Sequence, residues 1–122
     1  MEKEVALWLN KAKDDLRVAE SNFKTKEIEA AAFFCQQAVE KALKGLYIHK
    51  IRRLAPKTHN LVFLSKELKL PEKYIKDAER LTNIYLETRY PDIGGELKLE
   101  KETVARFIKL SWEILEWCNK QL

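Results

Sequence analysis

Hydrophobic positions recur at helical spacing from one end of this chain to the other. Val5, Trp8, Leu9, Ala12, Leu16, Ala19 and Phe23 follow an i, i+3, i+4, i+7 rhythm, while Lys13, Asp14, Asp15 and Arg17 take the other faces. That pattern is the mark of a helix buried along one side. A break near Thr25 leads into the most apolar stretch, about residues 28–50. There Ile28, Ala31, Ala32, Cys35, Val39, Ala42, Leu43 and Leu46 make one wide face, and Phe33, Phe34, Ala38 and Tyr47 widen it. A helix apolar over so much of its circumference is central or packed on two sides, one of which can be a dimer partner. Gly45 within it permits a close backbone approach, at about 1 kcal/mol against Ala.

Pro56 stops this pattern, and Thr58 or Asn60 can cap a short third helix carrying Leu61, Leu64 and Leu68. Pro71 suits the first turn of a fourth helix, with Ile75, Ala78, Leu81, Thr82 and Tyr85 facing inward. Pro91 ends that helix, because the residue before a proline is pushed out of α geometry. Gly94 and Gly95 mark a turn, and a last helix over about 100–121 carries Val104, Phe107, Ile108, Ser111, Ile114, Leu115 and Cys118 inward. No segment alternates at period two. The expected fold is all-α, an up-and-down four- or five-helix bundle with short connections.

The length of 122 residues fits one domain over 1–122, large enough to bury a core without disulfide staples. The longest apolar run is six residues, 30–35, against the roughly 20 of a membrane span. With no apolar signal core behind the N-terminus, a cytoplasmic protein without membrane contact is expected. Cys35 and Cys118 lie among apolar residues without CxxC or Cys/His spacing, which reads as two buried thiols and no metal site. Lys and Glu together number 32 and Asn and Gln eight, a balance that points toward a thermophile.

The net charge of +4 is mild, but its placement is uneven. Residues 1–40 sum to −2 and residues 60–122 to zero, whereas residues 41–59 carry Lys41, Lys44, Lys50, Arg52, Arg53 and Lys57 with no acid. Two readings compete. Cations near a helix C-terminus complement its dipole by about 0.3–1 kcal/mol each. Alternatively, clustered Lys and Arg form an anion site, with Tyr47 on the same helical side as Lys44 to stack on a base.

Two further groupings carry candidate chemistry. On the second helix Gln37, Lys41 and Lys44 share one face, and Gln36 and Glu40 the next. This stripe is either an ordinary exposed face with a Glu40–Lys44 ion pair, or a polar groove in a dimer or ligand site. Arg89, Tyr90 and Asp92 sit at a corner defined by Pro91, where side chains are held better than on a free loop. His59, at a helix start, is a capping or packing histidine or a member of that site. No Gly-rich phosphate loop, HExxH or GxSxG is present.

Four elements in order resemble the HEPN family of helical domains: Trp8 ahead of Ala12, Asp15 and Leu16; Gln36-Gln37-Ala38 with Glu40, Lys41, Leu43 and Lys44; Thr58-His59-Asn60-Leu61; and Arg89-Tyr90-Pro91-Asp92. The resemblance spans nearly the whole chain. It implies a helical bundle, commonly a homodimer, often paired with a small nucleotidyltransferase-fold protein, in some cases as toxin and antitoxin. Many members are metal-independent ribonucleases, with an Arg followed four to six positions later by a His. The chemistry such a pair supplies is general acid/base work by His and charge stabilisation by Arg. Here Ile93, Gly94 and Gly95 stand at those positions after Arg89, and no His follows. Arg53 and His59 have the spacing but flank Pro56 in a loop.

The expectation is therefore a non-catalytic module binding a nucleotide or RNA phosphate without a cofactor. Its binding residues are Lys41, Lys44, Tyr47, His59, Arg89, Tyr90 and Asp92. The alternative is a metal-independent ribonuclease toxin using Arg89 and a displaced His59. A third possibility is a purely structural dimer, with Trp8, Trp112 and Trp117 as core or interface anchors.

Overall fold

The computed structural model describes residues 2–90 and 99–122, apart from the Thr88 side chain. The expected chain turn at Pro91, Gly94 and Gly95 lies outside the described residues, as does Asp92. Five helices are described: α1 (Glu2–Lys24), α2 (Ile28–Ile51), α3 (Leu61–Glu67), α4 (Glu72–Arg89) and α5 (Lys101–Lys120). No strand occurs among the described residues. The boundaries fall within a residue or so of those read from periodicity, since each apolar stripe begins and ends with its helix.

The helix ends show why the chain stops where it does. Asn60 rather than Thr58 caps α3, its Oδ1 accepting from the backbone N–H of Val62 at 3.0 Å and Phe63 at 3.2 Å. Thr58 Oγ1 accepts in turn from the Asn60 N–H at 3.0 Å, a local turn that sets the cap. Pro71 sits one position before α4, its carbonyl accepting from the Tyr74 N–H at 2.9 Å. The chain leaves α2 through Arg52 in the left-handed region at φ 61°, its N–H donating to the Ile48 carbonyl.

Helix α2 packs against all four other helices, as its wide apolar face requires. Ala31, Ala32, Cys35, Ala38, Val39, Ala42, Leu43 and Leu46 are all buried. Around them close Leu16 from α1, Leu61 and Leu64 from α3, Leu81 from α4, and Val104 and Ile114 from α5. The run of alanines and Gly45 lets α1 approach closely. A Cβ at Gly45 would lie 3.0 Å from the Trp8 Cβ and 3.4 Å from the Val5 carbonyl oxygen. On α4, Tyr74 and Ile84 join the expected inward set.

Cys35 and Cys118 are both free and buried. Burial pushes each thiol up to about 12. The half-buried Trp8, Trp112 and Trp117 pack against the edge of the core rather than within it.

Candidate functional site

The polar stripe of α2 is not an exposed face: Gln37 and Lys41 are half-buried, and the rest is buried. Gln36, Glu40 and Lys44 are each under a tenth exposed. Being buried, they must satisfy one another. Glu40 uses both carboxylate oxygens: Oε2 accepts from Lys44 Nζ at 3.1 Å, and Oε1 accepts from Gln36 Nε2 at 3.1 Å and meets His59 Nδ1 at 2.7 Å. Gln37 Nε2 donates to Gln36 Oε1 at 2.6 Å, extending the network toward the surface. The Glu40–Lys44 ion pair anticipated from i,i+4 spacing exists, but in the interior.

That network holds His59. A carboxylate only accepts, so Nδ1 carries the proton in this pair and Nε2 is left for other partners. The imidazole reaches outward, with its side chain 53% exposed. Its ring stacks on Tyr85 with centroids 4.3 Å apart and planes 22° from parallel. Tyr85 stacks in turn on Phe33 at 6.1 Å, and Phe33 meets Phe34 edge-on at 5.4 Å. The result is a row of rings drawn from the loop before α3, from α4 and from α2.

Arg89, the last residue of α4, places its guanidinium carbon 5.9 Å from the centroids of both Phe33 and Tyr85. Cation–π attraction holds it there while the fork stays exposed. Tyr90 is 43% exposed, and its side chain hydrogen-bonds that of Tyr85. Burial raises the Tyr85 phenol, with Tyr90 and Glu40 adding to the shift and the Arg89 charge opposing it. Beside Arg89 lies an open groove of about 290 Å³ walled by Phe33, Ala30 and Glu29.

The structure thus brings His59, Arg89 and Tyr90 together around one ring, with Lys44 behind them through Glu40. It places Lys41 elsewhere, paired with the buried Asp15 of α1, which Lys11 also approaches at 3.5 Å. Tyr47 is half-buried against the core. The basic run at 41–59 is less of a free surplus than its composition suggests. Lys41, Lys44 and Arg52 meet Asp15, Glu40 and Glu2, all from the acidic first segment. Among the described residues no three His, Cys, Asp or Glu side chains cluster as a metal would need. No helix among them is long and apolar enough to cross a membrane.

Phe33 and Tyr85 are the members that sequence reasoning assigned only to packing. The available signal was the i,i+4 relation of Tyr85 to Arg89, and of Phe33 to Gln37 ahead of Glu40 and Lys44.

A buried Gln–Glu–Lys network supporting an exposed His–Tyr–Arg surface on an all-α bundle defines a class of helical domain rather than an activity. The HEPN domain model matches residues 5–121, and the chain belongs to the HEPN family. Solved structures that share the fold include two neighbours. The protein TT1696 from Thermus thermophilus is 28% identical, with a TM-score of 0.88 and all of each chain covered. ST0689, an archaeal HEPN homologue, is also 28% identical, with a TM-score of 0.80 and 96% of each chain covered. No curated protein matches the chain.

Proposed function

We propose that this HEPN domain binds the phosphate of a nucleotide or RNA at the corner formed by Arg89, Tyr90 and His59, without cleaving it. The observation that carries the reading is the convergence of Arg89 and His59 on Tyr85, the guanidinium carbon 5.9 Å and the imidazole 4.3 Å from the centre of its ring. An exposed guanidinium grips phosphate bidentately, and neighbouring aromatic rings offer a stacking surface for a base. Lys44 supports the site by holding Glu40, which orients His59. The adjoining Asp92 belongs to the same corner in sequence. In this reading the protein is a cytoplasmic homodimer that works beside a small nucleotidyltransferase-fold partner in a toxin–antitoxin-like pair. Lys41, paired with Asp15, and the half-buried Tyr47 stand apart from this corner.

Titration of fluorescent single-stranded RNA at low and high salt tests the binding. Affinity should fall steeply with salt, and Arg89→Ala should weaken it about tenfold or more, the value of one lost charge-assisted contact. Absence of binding at low salt, or indifference to salt, would overturn the proposal.

One observation favours a second reading. The 2.7 Å Glu40–His59 contact fixes the imidazole as an orienting carboxylate does in general acid/base catalysis. Metal-free incubation with mixed-sequence RNA separates the two. Cleavage lost in both Arg89→Ala and His59→Ala would make the protein a ribonuclease with a displaced histidine.

A further inference from the structure

The groove beside Arg89 holds more than a cation. Its walls are Arg89 of α4 and Glu29, Ala30 and Phe33 of α2, around about 290 Å³. Glu29 stands in the first turn of α2, one turn before Phe33, so the two share a helix face. The Phe33 ring is half-buried, and the Arg89 guanidinium carbon lies 5.9 Å from its centre. Glu29 and Arg89 are both exposed. Among the described residues neither forms an ion pair, although both line the same groove. The groove therefore offers an open cation, an aromatic wall and an open carboxylate.

A nucleotide of single-stranded RNA presents a matching set: an anionic phosphate, a flat base and the hydrogen-bonding edge of that base. A carboxylate only accepts hydrogen bonds, so Glu29 calls for donors. The Watson–Crick edge of guanine carries two adjacent donors, N1–H and the N2 amino group, which suit the two oxygens of one carboxylate. Adenine and cytosine each offer one amino group beside a ring nitrogen that accepts, and a carboxylate is repelled there. Uracil offers one N–H between two carbonyl oxygens.

We propose that Glu29 makes this groove selective for guanine. The base lies against Phe33, its N1–H and N2 amino group donate to the Glu29 carboxylate, and Arg89 holds the phosphate. This rests on the reading of Arg89 as the phosphate contact and adds the residue that chooses the base. A first-turn glutamate also complements the helix dipole, a role that leaves base preference untouched.

The test titrates the full chain with fluorescein-labelled single-stranded RNA pentamers at low salt. Each pentamer is uridine with guanosine, adenosine, cytidine, uridine or inosine at its centre. Guanosine should bind about tenfold more tightly than adenosine, cytidine or uridine, the value of one bidentate pair. Inosine keeps N1–H but lacks the N2 amino group, and should fall between. Glu29→Gln should abolish the preference and keep the binding, whereas Arg89→Ala should weaken every pentamer alike. Equal affinity for all the pentamers, inosine matching guanosine, or a preference that survives in Glu29→Gln would overturn the assignment of Glu29 and leave phosphate binding standing. Binding of none of them would overturn the phosphate reading itself, and the guanine site with it.

Discussion

Replacing Glu40 by Gln tests whether the polar centre of α2 is interior. The substitution keeps the side chain's shape and its ability to accept from His59, but removes the negative charge opposite Lys44. On an exposed helix such a pair is worth about 0.3–0.5 kcal/mol. Here the two side chains are only 6% and 10% exposed, so the lysine charge loses its partner where water cannot replace it. Removing one member of a buried pair costs about 3–5 kcal/mol. Because Gln retains one hydrogen bond, the low end applies, about 3 kcal/mol, which lowers Tm by about 12 °C in a domain of this size. Urea unfolding reads the loss directly. The double variant Glu40→Leu/Lys44→Met removes both charges and should recover at least half of it, because a buried pair and its apolar replacement are close in energy. A Glu40→Gln loss below about 1 kcal/mol would return the pair to the surface. A double variant no better than the single would show that Glu40 acts through Gln36 and His59 rather than through charge balance.

Other substitutions probe different contacts. Gly45→Ala gains about 1 kcal/mol of helix propensity but sets a Cβ 3.0 Å from that of Trp8. Overpacking of about 1–3 kcal/mol outweighs the gain, so thermal melts should show a net loss, larger for Gly45→Val. A more stable Gly45→Ala would refute the tight α1–α2 approach. Asn60→Ala should cost about 1 kcal/mol in denaturant unfolding, and Asn60→Asp much less, since only the latter keeps the cap. The buried thiols should react with a disulfide reagent at pH 8 only after unfolding. Each thiol rises from 9.0 to about 12 in the folded chain, so the fold favours the neutral form. Their contribution is full below pH 9.0 and lost as pH climbs toward 12. Cys35→Ala/Cys118→Ala should therefore flatten the alkaline fall in stability, and an unchanged slope would contradict the assignment.

Local pattern carried much of this protein. The i, i+3, i+4 stripes located all five helices, because helical periodicity depends only on near neighbours. The unusually wide apolar face of 28–50 marked α2 as central. The choice of Asn60 or Thr58 as cap was narrowed to two residues, both of which the turn uses. The spacing of Glu40 and Lys44 announced their ion pair, and the four motif segments announced the family. What spacing could not supply was burial. The same i,i+4 pair is a surface ornament or an interior anchor depending on what closes over it, and here the His59 loop meets Glu40 and Trp8 of α1 meets Lys44.

Long-range pairing was equally hidden. Asp15 meets Lys41, Glu40 meets His59 and Glu2 meets Arg52, each across 19 or more residues. Summing charge along the chain therefore overstated the free basicity of 41–59, because its counter-charges come from α1 and from the residue just before it. The Phe33–Tyr85–His59 row exists only where two helices and a loop converge. The sequence by itself determined the helices, their buried faces and the family, since those follow from local periodicity and ordered motifs. Only the tertiary structure decided which polar groups are removed from water and which rings and charges meet, because that depends on the faces the packed helices bring together.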